Sequence, residues 1–210
     1  MSNVILLILS CERYRHKAEI QKNTWLRNLP PQIMYFHVIG DQHRCAGAEF
    51  VIDVHNRVLY TNTLDDYVSL PHKIITAIHA VNATFQYDYL YKTDDDQALV
   101  NPHFFSWLSS TITPYHYGGY AVDIETHHSD YWTFHSELPR NVLLEKTTYC
   151  SGRFYFLSKN AARALLQNKP SISQRVIEDH SIGYFLPEDF KQGILRMNEM
   201  VQSSLIDYQP

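Results

Sequence analysis

The chain has 210 residues, 45% of them hydrophobic and 19% charged, which excludes a disordered, collagen-like or coiled-coil protein and predicts one domain with a full core. Eighteen basic against twenty-two acidic residues leave a net charge of -4, which argues against a nucleic-acid partner, because such a partner needs a basic footprint.

The longest wholly apolar run, Val4 to Leu9, falls far short of the roughly 20 residues that cross a bilayer. No positive segment precedes it and no small-residue cleavage site follows, so neither a transmembrane segment nor a signal peptide is expected. Its branched residues, apolar in succession, predict a central strand covered on both faces, and hence an α/β fold. Tyr14 to Leu26 spaces Ile20, Trp25 and Leu26 among charges and stops before Pro30-Pro31, which predicts a helix. Ile33 to Ile39 and Phe50 to Val54 read as strands. Ser69 as N-cap with Pro71 in the first turn, then Ile74, Ile75, Ile78 and Val81 at helical spacing, predict a helix up to about Phe85. Tyr87 to Lys92 alternates in the strand period and runs into Asp94-Asp95-Asp96, placing an acidic triplet at a strand's C-terminal end. Open α/β sheets bind ligands beyond the carboxyl ends of their strands.

Asn101-Pro102 opens a further helix through Leu108, and Tyr115 to Ile124 reads as a strand. Residues 123 to 148 are polar, aromatic and irregular, which suits a binding loop or lid. Arg153 to Leu157 resumes a strand, Ser158 caps a helix through about Leu166, and Ile177 to Leu186 predicts a short helix. Cys11, Cys45 and Cys150 are odd in number and widely spaced, as expected of free thiols in a reducing compartment. A cytoplasmic or otherwise soluble protein, as in a microbe or a virus, is the corresponding expectation.

Three consecutive carboxylates repel one another unless a cation neutralises them, and Asp oxygens with open positions suit Mg²⁺ or Mn²⁺. A solvated acidic turn is the alternative. Lys92 either reaches a phosphate or pairs with the triplet. Arg153 offers a bidentate fork for a diphosphate or an acidic sugar, or is a surface arginine at a strand start. Tyr131, Trp132 and Phe134 either stack on a sugar acceptor or pack on their own loop. His127, His128 and His135 match no usual zinc spacing and read as a solvated loop.

Several of these segments, in order, resemble the inverting β-1,3-glycosyltransferases of the galactosyltransferase and Fringe type, which have the GT-A fold. Arg15, Ile20 and Thr24-Trp25 are similar to the family's stretch after the first strand, with one extra residue between Arg15 and Ile20. Asp66-Tyr67, Leu70 and Lys73 resemble its helix start. Tyr91-Lys92-Thr93-Asp94-Asp95-Asp96 is its K-x-D-D-D, and Tyr149-Cys150-Ser151-Gly152 with Tyr155-Phe156-Leu157-Ser158 resembles its Y-C-S-G-G-G-Y-V-x-S. Glu178-Asp179 with Ile182-Gly183 resembles its E-D-V-x-x-G.

The resemblance implies a GT-A type, Rossmann-like central mixed sheet flanked by helices. One domain would span residues 1–210, donor-binding over about 1–100 and acceptor-side over about 101–210. It also implies a metal-dependent hexosyltransferase that moves a sugar from a nucleotide-sugar donor, commonly a UDP-sugar, to a hydroxyl of a glycan or glycoprotein acceptor with inversion. Mn²⁺ or Mg²⁺ would be held at Asp96 and Asp94, Asp96 as the direct ligand and Asp94 facing the ribose or a metal-bound water. Arg15, Lys92, Asp94, Asp95 and Arg153 would contact the donor, Arg15 in preference to Lys17. Asp179 would be the base, its alternative being a helix cap, and Glu178 would hydrogen-bond backbone or acceptor. A retaining GT-A transferase, a nucleotidyltransferase and a silent nucleotide-sugar-binding module are the competing readings. The family's members are usually membrane-anchored, and its downstream metal-binding histidine has no counterpart here; the chain is then a soluble form or part of a larger multidomain protein.

Overall fold

The computed structural model describes residues 2–208. In its first half β1 (Val4–Leu9) leads through a 3-10 turn into α1 (Arg15–Asn23), β2 (Ile33–Gly40) and the short α2 (Gln42–Cys45). The hairpin β3 (Phe50–Asp53) and β4 (Val58–Thr61), α3 (Leu70–Thr84) and β5 (Tyr89–Asp94) follow. The second half holds β6 (Gln97–Leu99), α4 (Phe104–Thr111), β7 (Tyr117–Ile124), the small ladder β8 (His127–His128) with β9 (Leu143–Leu144), and β10 (Thr147–Ser158). It ends with α5 (Lys159–Leu166), α6 (Lys169–Ser173), α7 (Glu178–Phe185), α8 (Glu188–Lys191), β11 (Leu195–Arg196), α9 (Asn198–Ser204) and β12 (Leu205–Asp207).

One mixed eight-stranded sheet, in the order β11-β7-β10-β5-β1-β2-β4-β3, is the framework, so the expected α/β class is the one found. All six residues of β1 are buried, because successive side chains point to opposite faces and both faces are covered. Ile5, Leu7 and Leu9 pack with α3, α5 and α7, whereas Val4, Leu6 and Ile8 pack with Trp25, Leu26, α4 and α9. Among the described residues no helix is long and apolar enough to cross a membrane.

The register decides where the chemistry lies. β1 runs parallel to β5 with Leu9 opposite Asp94, so Ser10 and the acidic triplet leave the sheet side by side. β10 returns antiparallel to β5 with Tyr155 opposite Lys92, and its pairing with β7 is interrupted between Cys150 and Tyr155. That irregularity carries Ser151, Gly152 and Arg153 to the end of β5. Helix α7 lies against β10 at Gly183, where a Cβ would stand 2.3 Å from Tyr149 Cβ. Only glycine permits that approach, which brings the N-terminal turn of α7 over Gly152.

The triplet lies at its strand's C-terminal end as expected, with β5 extending through Asp94. Three local expectations are corrected. Ser69 makes no side-chain cap; the Asp66 carboxylate accepts from the Ser69 N–H at 2.8 Å instead. The region 123–148 carries the β8–β9 ladder and a 3-10 turn over its own apolar cluster of Leu138, Leu144 and Ile177, with Tyr131 and Trp132 packed on it. Strands β4, β6, β11 and β12 were not expected, because runs of two to four residues are too short to establish a period.

Candidate active site

At the carboxyl ends of β1 and β5 opens a crevice of about 560 Å³, lined by both parts of the chain. Asp94, Asp95 and Asp96 stand on one side. Ser151 and Gly152 of β10 and Glu178 and Asp179 of α7 line it beside them, and Tyr67, Tyr131, Phe134 and His135 lie at the mouth.

The triplet is divided by its partners. Asp95 is buried, its Oδ2 accepting from Ser10 Oγ at 2.8 Å and its Oδ1 lying 4.0 Å from Lys17 Nζ; burial pushes its pKa up to about 6. Asp96 accepts from Gln97 Nε2 at 2.9 Å. Asp94 pairs with Lys92 at 2.7 Å, yet burial holds its carboxyl above the ordinary range, with Glu178 and Asp96 adding repulsion. Gln21, buried on α1, ties the turn down by donating to the Gln97 carbonyl at 2.9 Å and the Asp94 carbonyl at 3.2 Å.

Asp179 sits half-buried in the first turn of α7. Its Oδ2 accepts from Gly152 N–H at 3.0 Å and its Oδ1 from His180 N–H at 2.8 Å. Burial raises its pKa, while Lys92 and these N–H groups oppose the rise. Glu178, expected to meet backbone or acceptor, instead accepts from Tyr155 OH at 2.7 Å and pairs with Lys92 at 3.2 Å. Lys92 is 1% exposed; burial works against its charge, but Asp94 and Glu178 hold the proton above the usual lysine range. In the structure Lys92 pairs with Asp94 of the triplet.

The two arginines are placed differently. Arg15 pairs with Glu12 on the exposed face of α1 and does not line the crevice, whereas Arg13, Tyr14 and Lys17 do. The helix turns by about 100° per residue, so a choice between neighbouring positions is a choice of face. Arg153 reaches the crevice, but its fork is occupied: Nη2 donates to both Asp207 oxygens at 2.8 Å and Nη1 to the Leu205 carbonyl at 3.0 Å. Sequence reading gave no sign of Asp207, which arrives because β12 pairs with β6. Lys73, already in the family-like helix start, is buried and donates to the Ser10 carbonyl at 3.0 Å while pairing with Asp65.

Among the described residues no group of three or more His, Cys, Asp or Glu side chains is gathered to hold a metal ion by itself. The Asp94 and Asp96 carboxylates do fit a hard divalent cation. They are oxygen donors, two in number, and mutually repelling beside Glu178, the donor set for an ion that completes its shell with substrate oxygens.

The mouth is bridged. Tyr67 stacks on His135 with centroids 4.1 Å apart, and its N–H donates to Glu137 Oε2 at 3.4 Å. Trp132 stays with the loop's own core, whereas Tyr131 and Phe134 border the crevice, Phe134 being 76% exposed. Amide exchange over residues 129–138 is therefore expected to slow when UDP and Mn²⁺ are added, because a filled crevice supports the bridge from below. Exchange that is slow beforehand and unchanged by UDP would make the segment a fixed wall.

A family model described as galactosyltransferase matches residues 17–191, well over half of the chain. None of the curated proteins matches. Among solved structures, the galactosyltransferase LgtC in complex with donor and acceptor sugar analogs aligns with a TM-score of 0.47 at 11% identity, covering 91% of this chain and 72% of that one.

Proposed function

The chain belongs to the galactosyltransferase family, a family of glycosyltransferases, and from that premise we propose that its crevice transfers a hexose from a UDP-sugar to an acceptor hydroxyl with inversion. The observation that carries this reading is the meeting of two acidic groups in one crevice. Asp94 and Asp96 face it from the end of β5, and Asp179 faces it from the start of α7.

In this reading Asp94 and Asp96 hold Mn²⁺ or Mg²⁺, which when bound offsets charge on the departing diphosphate. Asp179 takes the proton from the acceptor hydroxyl. The acceptor oxygen forms its bond to the anomeric carbon while the bond from that carbon to the UDP oxygen breaks, its electron pair leaving with UDP. The base is oriented by the Gly152 and His180 N–H groups, which leave each oxygen a free lone pair. Tyr131 and Phe134 offer aromatic faces to the C–H side of the acceptor sugar. Lys17 and Arg13, rather than Arg15, are the crevice cations from the first helical segment that are placed to meet the donor.

Calorimetric titration with UDP, with and without Mn²⁺, tests the donor side. UDP is expected to bind wild-type protein in an Mn²⁺-dependent way and to bind Asp96→Ala at least about tenfold more weakly, since that variant loses one charged ligand and leaves the diphosphate facing Asp94 (a tenfold change corresponds to about 1.4 kcal/mol). Equal UDP affinity in Asp96→Ala at saturating Mn²⁺ would remove the metal assignment.

A further inference from the structure

We propose that Lys92 is a positioning residue that sets the Asp179 carboxylate through Gly152, tying the proposed base to the acidic triplet; this rests on the reading of Asp179 given above. The Lys92 ammonium donates to one carbonyl and forms ion pairs with two carboxylates. Nζ lies 2.8 Å from the Gly152 carbonyl, 2.7 Å from Asp94 Oδ1 and 3.2 Å from Glu178 Oε2. Gly152 in turn gives its N–H to Asp179 Oδ2 at 3.0 Å, so one residue is held through its carbonyl by Lys92 and holds Asp179 through its amide.

The absence of a side chain at position 152 makes this seat possible. A Cβ there would lie 2.9 Å from Lys92 Nζ and 3.3 Å from Asp94 Oδ2. Glu178, the residue before Asp179, is fixed from its other oxygen by Tyr155 OH at 2.7 Å, so the first turn of α7 is held to β5 and β10 together. The arrangement links three elements distant in sequence, and Lys92 is the only cation among the described residues that pairs with both the triplet and α7.

Gly152→Ala separates this role from charge loss. The backbone at 152 lies outside the left-handed region, so alanine is conformationally admissible, and its methyl presses most closely on the Lys92 tip and less closely on Asp94 Oδ2 while every charge is kept. Turnover is read as UDP release from UDP-galactose with Mn²⁺, and donor binding by calorimetry with UDP. The expected result is a fall in kcat of about tenfold or more with UDP affinity within about threefold, as for a displaced base on an intact donor site. In a Lys92→Met background the added Gly152→Ala change is expected to alter kcat less than about twofold, since its effect runs through the ammonium. If Lys92→Met does not fold, the split between kcat and UDP affinity in Gly152→Ala decides alone. Unchanged kcat, UDP affinity falling in step with kcat, or effects that multiply in the double variant would overturn the proposal. Asp179→Asn separates the two levels of the argument. Wild-type turnover in that variant ends the base assignment and this proposal with it, whereas an impaired Asp179→Asn beside an unimpaired Gly152→Ala ends the positioning role alone.

Discussion

Turnover of Asp179→Asn is expected to fall by about 10²- to 10⁴-fold, the usual contribution of a general base, while affinity for UDP-galactose stays within a few-fold of wild type. The amide is nearly isosteric and its oxygen still accepts one of the two N–H bonds that orient the group, at 3.0 Å from Gly152 and 2.8 Å from His180. What it loses is basicity. Glu178 cannot take over, because it is buried with its oxygens on Tyr155 and Lys92. The pH dependence follows the same logic. Burial raises the Asp179 pKa against the opposing pull of Lys92 and the N–H groups, and only the carboxylate form accepts a proton. Turnover should therefore decline as pH falls through that raised value, and the decline should vanish in the Asn variant. Single-turnover rates, which isolate the chemical step, are the measurement. A variant retaining more than about a tenth of wild-type turnover with chemistry rate-limiting would move the base role elsewhere and favour a retaining transfer.

The largest loss of stability is expected from Lys92→Met. Lys92 is 1% exposed and compensates two carboxylates, Asp94 and the buried Glu178. Removing one partner of a buried ion pair leaves charge stranded in low dielectric and typically costs about 3–5 kcal/mol. For a chain of this size each kcal/mol lowers Tm by about 2–4 °C, so a drop on the order of 10 °C is expected in thermal unfolding followed by circular dichroism. Methionine matches the lysine stem in volume, which confines the effect to charge. Adding Glu178→Gln should restore part of the loss, since it removes one of the stranded carboxylates while keeping an acceptor for Tyr155. A Lys92→Met protein within about 1 kcal/mol of wild type would mean that both carboxylates are protonated or hydrated in the fold.

Much of the framework was legible because its signals are local. Six branched apolar residues in a row required cover on both faces, and β1 has it. The proline at position 71 and isoleucines at helical spacing placed α3, and Ser158 accepts from Ala161 N–H at 3.2 Å as a cap should. The acidic triplet after an alternating segment marked the carboxyl edge of the sheet, which is where the crevice opens. In each case the responsible contacts lie within a few residues along the chain, so the sequence carries them directly.

The partners of the site residues were decided otherwise. Nothing near Lys92 announces that its ammonium meets a carbonyl sixty residues on and a carboxylate on α7. Nothing near Arg153 announces Asp207, fifty-four residues away, whose position depends on β12 pairing with a three-residue strand. That Lys17 lines the crevice and Arg15 does not follows from the rotation of one short helix about its axis, whose buried residues are Ala18 and Gln21. Local pattern thus determined the longer strands and helices and the acidic edge. The tertiary structure alone determined how the charges are shared, because an ion pair depends on where two side chains end, and that is set by register and packing summed over the whole sheet.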